Sequence, residues 1–238
     1  HSAAIAQRLD DSDANVRTAA LMALKASPEA AAEHGAAIVQ RLGDSLALVR
    51  RAALRALKVS PEAVAEHGTA IVQQIDHSDA DVRRAALEAL EASPEAVAQH
   101  GAAIVQRLDH SDANVRRVAL RALKASPEAV VKHGAAIVQR LEDSHADVRV
   151  AALLALEASP EAVADHGAAI VQRLEDSHAF VRMAALEALK ASPEAVVEHG
   201  AAIVQQLEHS DADVRWAALE ALKASPEAVV KHGAAIVQ

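Results

Sequence analysis

Glycine and proline each return at a fixed interval of 33 residues: Gly35, Gly68, Gly101, Gly134, Gly167, Gly200 and Gly233, with Pro28, Pro61, Pro94, Pro127, Pro160, Pro193 and Pro226. A period of this size restricts the chain to a repeat architecture, in which each unit buries its apolar face on its neighbours instead of closing a single core. Units begin near those prolines, partial units stand at both ends, and residues 1–238 read as one repeat domain. Composition points the same way. Aromatic residues are 1% of the chain, too few for a core of large side chains. The apolar half is mostly Ala, Val, Leu and Ile, which suits closely stacked helices.

Each unit reads as two helices. Ser60-Pro61-Glu62 opens helix A, because serine accepts free backbone N–H groups, proline suits the first helical position and glutamate complements the dipole. At about 100° per residue, Val64, Gly68, Ile71, Val72 and Ile75 share one face, so Pro61 to Ile75 reads as one amphipathic helix. Gly68 lies in its buried stripe, where another backbone can approach. The alternative is a break at His67-Gly68 with the glycine as a cap. Helix B follows a turn such as Asp11-Ser12, with Ser12 as the expected N-cap. Val16, Ala20, Ala23 and Leu24 form its apolar stripe, widened by Leu21. Short connections make neighbouring helices antiparallel.

The run from Asp44-Ser45 through Val49-Arg50 to Leu57 resembles the second half of a HEAT-type repeat, and the same pattern returns in all seven units. The period is shorter than that of ordinary HEAT repeats and nearer that of engineered HEAT-like binders. The resemblance implies an all-α, right-handed α-solenoid of about seven two-helix units, with helix B lining the concave side. It also implies a ladder between the constant arginines (Arg17, Arg50, Arg83, Arg116, Arg149, Arg182, Arg215) and turn aspartates such as Asp44 and Asp143.

Most columns are nearly identical from copy to copy, and three on helix B are not. They read Asn15, Leu48, Asp81, Asn114, Asp147, Phe180, Asp213; then Thr18, Arg51, Arg84, Arg117, Val150, Met183, Trp216; then Met22, Arg55, Glu88, Arg121, Leu154, Glu187, Glu220. Their i, i+3, i+7 spacing puts them on one face, opposite the apolar stripe. The only Trp, the only Phe and both Met residues fall there. A peripheral column in the first turn holds Leu46, His145 and His178. Other differences, such as Arg41 against Gln74, look incidental. A solvated face explains the polar residues of these columns, but it explains the apolar ones badly, because grouped exposed apolar residues usually mark an interaction site. Stacked helices would make an arginine ladder from Arg51, Arg84 and Arg117 beside Arg55 and Arg121. They would also make an apolar anchor from Val150, Leu154, Phe180, Met183 and Trp216.

Other chemistries find little support. A formal charge of -9 argues against a general nucleic-acid binder. No apolar run reaches the roughly 20 residues of a membrane span, and no secretory signal is evident. Cysteine is absent, and the histidine column (His1 through His232) spaces its members too far apart for a shared zinc ion. No buried triad or phosphate loop is visible, so neither an enzyme nor a cofactor is expected. A start at His1 without methionine reads as a processed or trimmed chain, compatible with the cytoplasm. The expected function is recognition of a protein or peptide, one with an acidic patch suiting the arginines. The alternatives are a self-assembling rod, ring or filament with end-to-end association, and a natural adaptor grown by tandem duplication. Near-identical units with a few diversified columns also resemble an engineered repeat binder.

Overall fold

A computed structural model describes residues 1–236, with side chains through Lys231; the His232 and Gly233 members of the repeating columns lie outside the described side chains. The chain divides into two compact units, His1–Ser111 and Asp112–Gln238. The first contains α1 (Ser2–Ala6), α2 (Ala14–Leu24), α3 (Pro28–Glu33), α4 (Gly35–Gln40), α5 (Ala47–Leu57), α6 (Pro61–Val72), α7 (Ala80–Leu90) and α8 (Pro94–Val105). The second contains α9 (Ala113–Lys124), α10 (Pro127–Gln139), α11 (Ala146–Glu157), α12 (Pro160–Val171), α13 (Ala179–Lys190), α14 (Pro193–Gln205), α15 (Ala212–Lys223) and α16 (Pro226–Ile236). No strand occurs among the described residues. Each unit is an α-solenoid. The B helices α2, α5 and α7 pack in series in the first, as α9, α11, α13 and α15 do in the second, and the A helices form a parallel layer.

Helix A begins as the sequence dictates. The Ser60 hydroxyl accepts from Ala63 N at 3.2 Å and donates to Glu62 at 2.9 Å, so a buried polar group is fully used. The interior differs from a straight helix. His67 has φ -109° and ψ 16°, and the helix kinks there. In the first copy the same kink at His34 separates α3 from α4. The glycine that follows makes room for a ring, not for another backbone. A Cβ on Gly68 would stand 2.8 Å from His100 Nε2, and one on Gly35 equally close to His67 Nε2. The last turn of helix A tightens into a 3₁₀ segment, Gln73–Asp76 in α6's case.

Helix B is capped one residue later than expected. Asp13, not Ser12, is the N-cap of α2, and its Oδ1 accepts from Asn15 N at 2.7 Å. The column read as peripheral is therefore the cap column, and Leu46, His145 and His178 occupy it without capping. The apolar stripe is fully covered inside the stack, with Val49, Ala53, Ala56 and Leu57 at 0% exposure. Burying each leucine contributes about 2 kcal/mol. In α2 the same stripe is partly open: Val16 is 36% exposed and Ala23 is also exposed, because only the short α1 packs on that side.

Polar ties join successive copies. Arg17 donates Nε and Nη2 to the two oxygens of Asp44 at 2.8 and 3.1 Å, and Arg116 does the same to Asp143 at 2.7 and 2.8 Å. Further ties come from the column of Arg41. Arg41 reaches back to the Leu9 carbonyl at 3.0 Å, Arg173 reaches Leu141's at 3.0 Å, and Gln206 keeps a link to Glu175 at 3.0 Å.

Candidate protein-interaction surface

The variable columns point outward because they lie opposite the stripe that α2, α5 and their equivalents bury. In the first unit Met22 on α2 is 65% exposed, and Leu46 and Leu48 at the start of α5 are exposed too. Met22 and Leu48 line a hollow of about 70 Å³ whose rim carries Lys25, Arg51 and Arg55. The expected arginine ladder is not a row of free cations. Arg51 and Arg84 converge on Asp81, at 2.8 and 2.6 Å, and its one carboxylate offsets part of their combined charge. Asp81 belongs to a neighbouring variable column, three residues before Arg84 and one helix away from Arg51. That is a pairing the columns, taken one at a time, conceal. Glu88 on α7 is half-buried.

In the second unit Arg117 is half-buried on α9 and Arg121 is exposed, beside half-buried Val150 and Leu154 on α11. These four side chains and Asp147 line a cleft of about 380 Å³. Phe180 on α13 is 67% exposed and Trp216 on α15 is 59% exposed, with Met183 half-buried on α13. Glu187 accepts from Lys190 at 2.9 Å, and Glu220 pairs with Lys223 at 3.5 Å. Each glutamate is thus partly balanced on its own helix, at exposures where such pairs contribute little to stability. His178 lies against Phe180 with ring centroids 5.7 Å apart. His145 Nδ1 lies 3.0 Å from Ser144 Oγ and 3.6 Å from the Asp143 carboxylate.

Sequence reasoning passed over one exposed feature of this unit. Leu219 is exposed although its column is buried in other copies; Asp213, already read in a variable column, flanks Trp216 three residues before it. Helix A also carries a varying column, Gln99, Lys132, Asp165 and Glu198, but its members are all polar and need no partner. Among the described residues no group of three His, Cys, Asp or Glu side chains is placed to hold a metal ion. No described helix is long and apolar enough to cross a membrane.

Stacked two-helix units with a diversified outer face define a helical repeat scaffold. HEAT repeats match residues 101–190 and again 134–223, more than half of the chain together, and the chain belongs to that family. A comparison with curated proteins finds no match. Among solved structures it is similar to a crystal structure of an engineered protein (TM-score 0.50, 20% identity, covering 94% of this chain and 95% of that one). It is also similar to a designed armadillo repeat protein in complex with the peptide (KR)4 (TM-score 0.58, 20% identity, 93% and 98% covered). A second designed armadillo repeat protein is comparable (TM-score 0.58, 19% identity, 94% and 99% covered). At these identities the likeness concerns the fold.

Proposed function

We propose that this chain is a non-catalytic scaffold that recognises a protein or peptide through the variable face of its B helices. One observation carries the reading. The largest side chains of the chain, Trp216 and Phe180, are more than half exposed, in columns where most other copies hold Asp, Asn, Arg or Thr. Water-facing aromatic surface opposes solubility, and a contiguous patch of it is the usual mark of a contact site. The fold supports the same use, since a designed armadillo relative by fold holds a peptide. Near-identical units with diversified outer columns fit either an engineered repeat library or a natural adaptor built by tandem duplication.

The test is a pull-down with the wild-type chain beside a variant carrying Phe180→Asp, Met183→Arg and Trp216→Arg. A partner captured by the first and lost by the second supports the reading, and a partner kept by both overturns it. Once a partner is in hand, Trp216→Ala with Met183→Ala should weaken binding by roughly 2–4 kcal/mol in calorimetry.

A further inference from the structure

Resting on that reading, we infer that the second unit takes an extended segment of a partner in one orientation, with carboxylates over α9, aliphatic side chains over α11 and α13, and Lys or Arg over α15. The argument is charge complementarity along a single unit. The four B helices follow one another in contact, and the variable face changes character at each step. On α9, Arg117 has no ion-pair partner among the described residues, and it shares its cleft with Val150 and Leu154. That cleft offers a cation beside an apolar floor, so it favours an acidic residue next to an aliphatic one. Asp147 also stands in the cleft, on the α11 side, where it opposes a second acidic residue and limits the anionic end to α9.

The middle is mostly apolar: α13 follows α11 and carries Met183 and Phe180 on this face, with Glu187 offset by Lys190. At α15 the exposed indole of Trp216 has Asp213 three residues before it and Glu220 four residues after it, on the same face. An aromatic face flanked by two carboxylates attracts a Lys or Arg side chain through both charge and the ring quadrupole. Lys223 offsets Glu220 in part, while no basic side chain pairs with Asp213 among the described residues. Three helix-to-helix steps at roughly 10 Å each span about 30 Å, which about nine residues cover in extended form.

Four synthetic fluorescein-labelled nonapeptides test the inference by fluorescence anisotropy. The first is Glu-Glu-Leu-Ser-Leu-Ser-Leu-Lys-Lys and the second its reversed sequence; the third carries Glu-Glu at both ends and the fourth Lys-Lys at both. One of the two dipolar peptides should bind about tenfold more tightly than either peptide with like ends. Arg117→Glu with Asp213→Lys should transfer that preference to the other dipolar peptide. Both substitutions are on the solvent side, and an unchanged circular-dichroism melt confirms that the variant folds. If like-ended peptides bind as well as dipolar ones, yet lose binding with Trp216→Ala, the polarity is wrong and the recognition reading stands. If no peptide binds, the inference is overturned, while the pull-down above decides the broader reading separately.

Discussion

Arg149 holds Asp176 with two parallel hydrogen bonds, Nε to one carboxylate oxygen at 2.8 Å and Nη2 to the other at 2.7 Å, across the step from one copy to the next. Their side chains are 12% and 6% exposed. The same carboxylate accepts from His178 N at 2.9 Å, so one side chain fixes both the turn and the contact between copies. Replacing it strands a half-buried cation. Asp176→Asn should lower stability by about 3 kcal/mol, read as a fall in the urea midpoint at constant slope. A change within error would mean that the pair contributes nothing.

One copy further on, His209 stands where Asp176 does, and it performs only half of the task. Its Nδ1 accepts from Asp211 N at 3.0 Å, as the aspartate does, but Arg182 Nε is left without an acceptor. His77 repeats this, accepting from Asp79 N at 2.9 Å while Arg50 Nε is left unpaired. The replacements are coupled. Turns with histidine carry aspartate at the cap (Asp79, Asp112, Asp211), and turns with Asp44, Asp143 or Asp176 carry Leu46, His145 or His178 there. An anion is kept in each turn but moved by two residues, and Asp79 still feels the charge of Arg50. Asp11-Ser12-Asp13 demonstrates that one turn accommodates both acids. His209→Asp should therefore raise stability by about 1 kcal/mol in the same urea assay; a loss would show that the turn cannot seat the carboxylate.

Two kinds of group make the fold acid-sensitive, over different ranges. Burial pushes the carboxyls of Asp44, Asp143 and Asp176 up, but their arginine partners and the capped backbone N–H groups outweigh it and hold all three below the ordinary 3.8. The stability they provide is complete above 3.8 and drains away as pH falls through their lower folded values. His133 acts earlier. Burial, then the charge of Lys132, depress it below the ordinary 6.5. The unfolded chain binds that proton more readily, so stability declines as pH falls from 6.5 towards the folded value. The urea midpoint should be lower at about pH 5.5 than at about pH 7.5, and His133→Gln should narrow the difference. Equal midpoints in the wild-type chain would refute the assignment.

A methyl group on Gly167 would stand 2.5 Å from His199 Nε2 and 2.8 Å from its Cδ2. Gly167→Ala should cost about 1–3 kcal/mol through overpacking, despite the better helix propensity of alanine. Adding His199→Ala removes the opposing ring, so the double variant should be more stable than the sum of the single effects. Additive single effects in this double-mutant cycle would show that the ring yields freely.

The sequence conveyed the architecture because period, proline and serine report backbone geometry directly. It also placed Met22, Phe180 and Trp216 on the water side, since helical rotation alone decides that. The pairings within the surface were harder to read. Asp81 joins Arg51 and Arg84 only through a contact between helices, which no column of a repeat alignment displays. The cap shift from Ser12 to Asp13 reflects competition between two adjacent oxygen-bearing side chains, settled by an extended backbone at Asp13. The kink at His67 was left open between two readings because an amphipathic pattern runs unbroken through Gly68, so periodicity alone does not register a change of backbone angle at one residue.

The socket at Gly35, Gly68, Gly134 and Gly167 and the imidazole that enters each from the following copy return at the period of the repeat. A duplicated or deleted block of 33 residues would therefore meet neighbours already cut to fit, with no retuning of the interior. Such a chain can change its length in whole increments while its outer columns diversify independently. Reach and specificity are in this sense separately adjustable.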